Sequence, residues 1–479
     1  MQPGISEFFL AWRYARGTLL LNSVMYKKTL VVDGITPVGA YQALRPRSEG
    51  GSFLLESVVA GERWGRYSIL GYRPRSQHVV YGEPGVDPFT RLSQLAPGGG
   101  ADETDMAARF ATACVGLLTY DMVHFVTKVE PWPELIGRKR PIARMISNAT
   151  VVVFDNLTHT AVIAAQDPAE VERAEHDLSH ATTLPMMAPP DPQALPSDVD
   201  VNMSDADYCR VVERAKEYIR AGDAFQIVPA RTFSTPTGGA DPFDVYRAMR
   251  VLSPAPYMYL LELPERDGAS AVAIAGASPE TLVRVENKRI TLRPIAGTRR
   301  RGRSPEEDQA FADEMLADPK ERAEHVMLID LARNDVGRVS KSGSVRVPLH
   351  MSVEKYSHVM HITSEVEGEL APNLGPWDVI RATFPAGTLS GAPKVRAMQI
   401  IRELELRPRG AYGGAIGYVT GGTSLDLAIA IRTVVMQDGR FEVTAGAGVV
   451  ADSVPELEAK ETRNKARAAL SAISAARRR

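Results

Sequence analysis

Apolar runs separated by turn residues fill the first third of the chain. Each run is rich in β-branched residues and ends at Gly, Pro, Asn or Asp, a pattern typical of strands. The runs that predict strands are 29–34, 52–57, 65–74, 113–121 and 148–156. One helix is predicted over 170–181, so residues 29–183 are expected to form a mainly β region with a few helices.

A proline-rich segment, LPMMAPPDPQALPSD at 184–198, then interrupts the pattern. Because so many prolines can neither continue a helix nor donate to a ladder, we expect a linker or a surface crossing over 184–203. Beyond it, Tyr208, Val212 and Ala215 share one helical face, and helices interleave with strands throughout 204–470. Predicted strands here include 225–230, 413–422 and 445–452. The pattern predicts an α+β fold, with large sheets covered by helices.

The stretch FPAGTLSGAPK, residues 384–394, separates two such elements. Its glycines and small hydroxyls lie between prolines and precede a helical pattern, so the loop could present amides and hydroxyls to an anion. A plain capped turn explains the same residues, and this stretch alone does not decide between the two.

Composition narrows the range of partners. The 479 residues are 44% hydrophobic and 24% charged, with a formal net charge of -2, which gives no reason to expect nucleic acid or an anionic membrane. Cys114 and Cys209 belong to no CxxC or metal-like cluster, so we expect inert thiols in the cytoplasm. Arg13 and Arg16 interrupt the apolar patches of residues 1–28, where we expect an N-terminal extension or a start at Met25.

Two predicted helices carry paired glutamates. Glu321 and Glu324 share a helical face, and Glu458 and Glu461 repeat that spacing, followed by Lys465. Four carboxylates without a Cys/His cluster suit Mg²⁺. Glutamates at this spacing are also typical of solvated helix faces, so both interpretations remain open.

Two further side chains could take part in chemistry. His361 lies in the strand-like YSHVMHITSEV, where a histidine is either a core residue or a general acid or base. Arg432 ends an apolar strand, where an unpaired guanidinium is costly. It therefore needs a carboxylate partner from the protein or from a ligand.

Eight motifs follow one another in a fixed order: GASPE (276–280), RPIAGTRRRG (293–302), ERAEHVMLIDLARND (321–335), FPAGTLSGAPK, RGAYGGAIGY (409–418), AIRT (430–433), AGAGVV (445–450) and ELEAKETRNKA (456–466). This series resembles the chorismate-utilising enzymes over about 208–468. In the first half, LLES and GRYSILG resemble the N-terminal region of the anthranilate synthases. The resemblance implies the large antiparallel sheets of that family and chorismate, a dicarboxylate, as substrate.

The resemblance also implies roles for individual residues. Glu324 and Glu461 would bind Mg²⁺, with Glu321 and Glu458 beside them or acting through water. Glu280 would be the general acid at the departing hydroxyl, which requires a raised pKa, and His361 would serve the elimination of pyruvate. The remaining expected pocket residues are Gln226, Gly297, Thr298, Thr388, Tyr412, Arg432, Gly446, Ala447, Gly448 and Lys465, of which Tyr412, Arg432 and the amides of 446–448 would hold the pyruvyl carboxylate.

Two positions discriminate between branches of the family. Members that add water carry a lysine where this chain has Gln226, and aminodeoxychorismate synthases form an adduct through a lysine where it has Ala296. Neither replacement can act as a base or nucleophile, which favours the anthranilate branch and ammonia as nucleophile. The alternatives are component I of an aminodeoxychorismate synthase and a catalytically silent tryptophan-binding subunit.

Regulation and partners follow from the same resemblance. Glu56 and Ser57 of LLES, with Pro256, Tyr257 and Met258 of SPAPYM, resemble the tryptophan site of feedback-inhibited anthranilate synthases. Neither cysteine lies in a Gly-x-Cys-x-Gly setting, so glutamine would be used only through a separate amidotransferase subunit, commonly in a heterotetramer. We therefore expect a Mg²⁺-dependent lyase at the first committed step of tryptophan biosynthesis.

Overall fold

The structure is a computed structural model that describes residues 25–57, 66–95, 105–181, 183–356, 359–421 and 424–478. Most of the N-terminal extension expected over 1–28 therefore lies outside the described residues. Within these ranges, no helix has the length and apolar character that a membrane crossing requires.

The strands alternate with turns as the apolar runs predicted. In chain order they are β1 (Tyr26–Val31), β2 (Ser52–Glu56), β3 (Tyr67–Tyr72), β4 (Ser76–Tyr81), β5 (Cys114–Leu118), β6 (Pro141–Ser147), β7 (Thr150–Asp155), β8 (Thr160–Ala165), β9 (Asp200–Val201), β10 (Gln226–Ile227), β11 (Ala230–Pro236), β12 (Tyr257–Leu263), β13 (Val272–Ser278), β14 (Thr281–Glu286), β15 (Arg289–Leu292), β16 (Ile295–Arg300), β17 (Arg346–Lys355), β18 (Val359–Glu369), β19 (Gly391–Ala392), β20 (Ala415–Val419), β21 (Leu425–Ile429), β22 (Thr433–Gln437) and β23 (Arg440–Gly446).

Several of the α-helices begin at a proline in the first turn, preceded by an Asp, Ser or Thr cap. They are α1 (Pro37–Leu44), α2 (Pro88–Leu95), α3 (Met106–Thr112), α4 (Val123–Val126), α5 (Pro168–Ser179), α6 (Asp205–Arg220), α7 (Pro242–Leu252), α8 (Pro305–Ala317), α9 (Pro319–Gly337), α10 (Pro376–Thr383), α11 (Gly387–Ser390), α12 (Lys394–Leu404) and α13 (Pro455–Arg477). Short 3₁₀ turns lie at Arg45–Arg47, Tyr120–Met122 and Pro133–Leu135.

Two large antiparallel sheets form from the described strands. The first has the order β1-β8-β7-β3-β2-β12-β13-β22-β23-β11-β9. The second has the order β16-β18-β15-β14-β21-β20-β5-β6-β4, with β17 paired to β18. Helices α7 and α13 pack on the first sheet, and α9 packs against β16 and β18 of the second. The α+β prediction, with large sheets covered by helices, is confirmed.

Both halves of the chain contribute to both sheets. Strand β2 pairs with β12, and β5 pairs with β20, so neither 29–183 nor 204–470 closes a sheet alone. The proline-rich residues 184–198 form no helix or strand and run over helix α13, where Ser471 donates to the Pro192 carbonyl at 3.0 Å. Of the two expectations for this segment, the surface crossing describes it.

Two predicted strands are interrupted because their residues pair with segments outside the first sheet. The strand predicted over 225–230 is divided, because Gln226 and Ile227 pair with β19 and the chain joins the first sheet only at Ala230. The strand predicted over 445–452 leaves the sheet after Gly446, because Val449 instead exchanges two backbone hydrogen bonds with Ile227, of 2.8 and 3.1 Å. The loop at 384–394 contains the single turn α11 and the two-residue β19.

Candidate active site

The site lies where the chain passes twice, side by side, from one sheet to the other. One crossing joins β13 to β14 and contains Glu280, and the other joins β21 to β22 and contains Arg432. The crossings are held together because the Ala277 amide donates to the Arg432 carbonyl at 3.2 Å and the Ile429 amide to the Glu280 carbonyl at 3.0 Å. Two residues about 150 positions apart are therefore fixed as neighbours.

Glu280 is an acid whose ionisation is held near neutral pH. Burial raises the pKa of its carboxyl to about 7, against the opposing effects of a hydrogen bond from Thr388 and the charges of Lys465 and Arg432. Thr388 Oγ1 donates to Glu280 Oε1 at 2.9 Å, so the loop at 384–394 orients the acid. A carboxyl with this pKa is protonated in a large share of molecules at neutral pH, as a general acid must be.

Arg432 has no partner for its guanidinium among the described residues. It forms no hydrogen bond or ion pair there, and burial lowers its pKa, with Glu280 as the nearby charge that favours the cation. Its backbone is in the left-handed region, at φ 49°, which is uncommon for a residue other than glycine. A partly desolvated cation held in a strained conformation is suited to a carboxylate supplied by a ligand.

His361 is fixed in one tautomer. Its Nδ1–H donates to the Gly297 carbonyl at 2.8 Å, with Thr298 Oγ1 at 3.1 Å, which leaves Nε2 as the basic nitrogen. Burial lowers the pKa of His361, the bond to Gly297 opposes this, Arg432 lowers the pKa further and Glu354 raises it. The imidazole is therefore neutral near pH 7 and can accept a proton.

The predicted glutamates converge from two remote helices. Burial raises the pKa of Glu324 on α9, a hydrogen bond from Gln226 opposes this, and the charges of Glu321 and Glu461 raise it further. Glu461 lies on α13, so the two helices bring their carboxylates within electrostatic reach of each other. Burial and Glu461 also raise the pKa of Glu458.

Each of three carboxylates already has a neutralising or polar neighbour. Gln226 Nε2 donates to Glu324 Oε1 at 3.0 Å, Lys465 pairs with Glu461 at 2.7 Å and Arg299 pairs with Glu321 at 3.0 Å. Within the described ranges, no three acidic, histidine or cysteine side chains lie close enough to enclose a metal by themselves. The arrangement suits an ion that takes one or two carboxylates and fills its remaining positions with substrate oxygens and water, as Mg²⁺ does.

Residues 446–448, expected to hold a carboxylate with their amides, pack closely against Tyr412 and Gln226. A Cβ on Gly446 would stand 2.7 Å from the Tyr412 hydroxyl, and one on Gly448 would stand 2.9 Å from Gln226 Nε2, so bulkier residues would close the space. Lys465 Nζ donates to the Gly446 carbonyl at 3.0 Å. The Ala447 amide differs from the expectation because it already donates to the Tyr208 hydroxyl at 3.2 Å and is not free for a ligand.

The residues of the expected tryptophan site are brought together by β2 and β12. Glu56 and Met258 are direct cross-strand partners. The Glu56 carboxylate accepts from Tyr246 at 2.6 Å and pairs with Arg250 at 3.1 Å, whereas the Ser57 hydroxyl is buried without a partner in the described structure. A buried, unsatisfied hydroxyl is unfavourable unless a ligand completes its hydrogen bonds.

A cavity of about 190 Å³ begins beside this segment. Pro256 and Tyr257 form one wall, Pro279 and Thr281, which flank Glu280, form another, and Tyr356 closes a third. The Tyr257 hydroxyl also lies 2.8 Å from Thr281 Oγ1. The SPAPYM segment is thus connected to the crossing that carries Glu280.

Sequence reasoning missed two of the functional neighbours. Arg299, the partner of Glu321, and Tyr356, whose ring centroid lies 5.8 Å from that of His361, were both within motifs noted for other residues. The only signal for Tyr356 was its position in the strand-like YSHVMHITSEV, and a strand pattern does not identify which ring a side chain will contact.

The crossings bring together a carboxyl with a raised pKa, a neutral imidazole and an unpartnered guanidinium, an arrangement typical of an enzyme site for an anionic substrate. The family model of chorismate binding enzymes matches residues 84–471, and the chain belongs to that family. It is 44% identical to anthranilate synthase component 1 of Pseudomonas putida, covering 93% of this chain and 94% of that protein, and 41% identical to that of Aquifex aeolicus, covering 95% of each.

Solved structures agree with this assignment. Anthranilate synthase component I from Streptococcus pneumoniae superposes with a TM-score of 0.73 at 34% identity, covering 92% of this chain and 98% of that chain. The menaquinone-specific isochorismate synthase of Escherichia coli superposes with a TM-score of 0.70 at 15% identity, covering 98% and 99%, which indicates the shared fold.

Proposed function

We propose that this chain is the chorismate-converting subunit of an anthranilate synthase, which forms anthranilate and pyruvate from chorismate and ammonia. The observation that carries the proposal is the position of the unpartnered Arg432 beside Glu280. Burial raises the pKa of the Glu280 carboxyl to about 7. The nearly full-length similarity to anthranilate synthase component 1 from several bacteria supports it. Gln226 and Ala296, which lack the lysine chemistry of the other branches, favour ammonia addition and the ortho product.

The chain's own residues account for both halves of the reaction. Arg432 binds a substrate carboxylate, and protonated Glu280 delivers its proton to the departing hydroxyl as ammonia adds to the ring. Thr388 keeps Glu280 aimed at that oxygen. His361, with Nε2 unprotonated, then serves the elimination of pyruvate that makes the ring aromatic.

The decisive experiment incubates the purified chain with chorismate, Mg²⁺ and an ammonium salt and follows anthranilate fluorescence. The proposal expects anthranilate without any second protein. A para-amino product would assign the chain to the aminodeoxychorismate branch, and no product with active chorismate and metal would favour a silent tryptophan-binding subunit. Glutamine in place of ammonium is expected to give product only when a separate amidotransferase subunit is added.

We also propose that the site binds Mg²⁺. Glu324 and Glu461 would hold the ion, with Glu321 and Glu458 beside them, and the bound ion would neutralise the ring carboxylate of chorismate. These glutamates fit this role because the carboxylates of α9 and α13 lie close enough to repel one another.

We expect Glu461→Gln to raise the Mg²⁺ concentration for half-maximal activity about 10- to 100-fold, because one carboxylate of the ion's site becomes neutral. The measurement is anthranilate formation across a Mg²⁺ titration. Glu456→Gln, an exposed glutamate on the same helix, is the control and should leave the midpoint unchanged. Equal midpoints for the two variants would remove Glu461 from the metal site.

Tryptophan inhibition is the regulatory part of the proposal. The buried, unsatisfied Ser57 hydroxyl beside Glu56 and Met258 supports an amino-acid ligand at this position. Tyr257, hydrogen-bonded to Thr281 next to Glu280, offers a physical connection between that ligand and the acid.

We expect Ser57→Phe to raise the tryptophan concentration for half-inhibition at least tenfold, because the larger side chain fills the space that the ligand needs. Turnover without tryptophan should change less than about twofold, since the Ser57 side chain is hydrogen-bonded to no described residue that is proposed to act on chorismate. The measurement is an inhibition curve with and without the substitution. Unchanged sensitivity to tryptophan would move the inhibitor site elsewhere.

A further inference from the structure

The end of the β17–β18 hairpin surrounds His361 with two side chains that no motif assigns. Glu354 on β17 is the direct cross-strand partner of His361 on β18. Directly opposite residues of an antiparallel pair project from the same face, so the carboxylate and the imidazole are neighbours. Tyr356 packs its ring edge-on against the imidazole, with centroids 5.8 Å apart and planes inclined by 60°.

Tyr356 is itself held at several points. Its amide donates to the Val359 carbonyl at 2.8 Å, and Arg301 donates to its carbonyl. Its hydroxyl donates to Glu354 Oε2 at 2.9 Å. Such fixed backbone and side-chain contacts restrict the ring to one orientation against the histidine.

Glu354 is held by bonds to two other side chains. Arg293 pairs with Glu354 Oε1, and Arg293 Nε lies 3.6 Å from Glu365. With Tyr356 on one oxygen and Arg293 on the other, each carboxylate oxygen already accepts a hydrogen bond, which restricts how far Glu354 can turn toward His361. Among the described residues, the other groups near the imidazole are the guanidinium of Arg432 and the polar groups of Gly297 and Thr298.

We propose that Tyr356 is a positioning residue for His361. Its ring limits rotation of the imidazole, and its hydroxyl keeps the Glu354 carboxylate paired with Arg293. His361 thereby stays neutral with Nε2 open toward the substrate. This proposal rests on the proposed function and specifies which half of the reaction Tyr356 supports.

The half in question is the elimination. In it the C–H bond at the aminated carbon breaks and its electron pair completes the aromatic ring. The neighbouring ether C–O bond breaks, and the released enolpyruvate takes up a proton to become pyruvate. Addition of ammonia and loss of the hydroxyl precede these events and depend on Glu280. A displaced imidazole therefore slows the second half and leaves the first largely intact.

We expect the Tyr356→Leu variant to release the intermediate that has gained the amino group but has not yet lost pyruvate. Anthranilate formation should fall about 10- to 100-fold more than chorismate consumption, since small misplacements of a reacting group carry costs of that order. Chromatography with mass detection measures the ratio of intermediate to anthranilate. The matched control is Tyr218→Leu, a half-buried tyrosine on α6 whose hydroxyl also donates to a glutamate, at 2.6 Å, and which should give anthranilate alone.

Tyr356→Phe separates the ring from the hydroxyl in a chain that keeps its packing. Its product ratio should stay near the wild-type value. The freed Glu354 carboxylate should favour the imidazolium, so the fall in elimination rate on the acid side should move to higher pH. The same profile for wild type and Tyr356→Phe would overturn the role of the hydroxyl.

A proportional loss of chorismate consumption and anthranilate in Tyr356→Leu, with no intermediate, would overturn the role of the ring. Wild-type chain that forms no anthranilate would contradict the proposed function itself. Wild-type product with unchanged ratios in both variants would contradict only the positioning by Tyr356.

Discussion

Replacing Arg432 by glutamine is expected to lower kcat/KM for chorismate about 100- to 1000-fold while leaving the folded protein at least as stable. Truncating one partner of a desolvated charge pair costs about 2–5 kcal/mol of binding, and every 1.4 kcal/mol is a factor of ten. In the free protein, however, the guanidinium has no partner among the described residues and burial lowers its pKa. Removing that charge relieves a cost that only the ligand offsets.

Arg409→Gln provides the contrast. Arg409 is more deeply buried, but it pairs with Glu405 at 2.5 Å and donates to the carbonyls of Leu389 and Val228. Its loss leaves a buried carboxylate unpaired, which typically costs about 3–5 kcal/mol. Thermal unfolding and steady-state kinetics on both variants separate the two cases. A melting temperature for Arg432→Gln that falls as far as that of Arg409→Gln would mean that Arg432 is a structural residue.

Glu280→Gln is expected to lower kcat about 10²- to 10⁴-fold, the usual contribution of a general acid. Glutamine is isosteric and can still accept from Thr388, but it has no proton to deliver to a leaving hydroxyl. The measurement is kcat at saturating chorismate and ammonium, with binding checked separately. Full activity in this variant would exclude Glu280 as the acid.

The pH dependence gives the same residue a second test. Burial raises the pKa of Glu280 from 4.5 to about 7, and the acid form is the active one, so kcat/KM should fall as pH rises through about 7. In the variant this limb should vanish. A carboxyl whose pKa is raised by folding binds more protons in the native state, so its contribution to stability declines between pH 4.5 and 7. Glu280→Gln should therefore be relatively more stable at pH 8 than at pH 5.

Local patterns were sufficient for many of the elements and for the family. The runs at 52–57 and 148–156 became β2 and β7, and the face shared by Tyr208, Val212 and Ala215 became α6, because period and flanking turn residues determine such segments locally. The paired glutamates at helical spacing were placed on the correct helices for the same reason. The approach of the α9 glutamates to those of α13 was implied only by the resemblance to the family.

What the residues alone could not provide is pairing over long distances. The neighbourhood of Glu280 and Arg432 depends on β13 pairing with β22 while β14 pairs with β21, and no local period encodes that arrangement. The early end of the strand predicted over 445–452 has the same cause, since Val449 pairs with Ile227 more than 200 positions away. Competition among distant partners decides where a strand ends, and propensity does not contain it.

The sharing of sheets between both halves also constrains how the protein is made. During synthesis, about 200 further residues must be translated after β2 before its partner strand β12 is available. At roughly 5–20 residues per second, that strand remains an open edge for about 10 to 40 seconds on every ribosome. Its sequence, SFLLE, is apolar and could pair with another nascent chain during that interval. Soluble yield should therefore respond to translation speed and chaperone supply, and the two halves expressed as separate fragments should each aggregate.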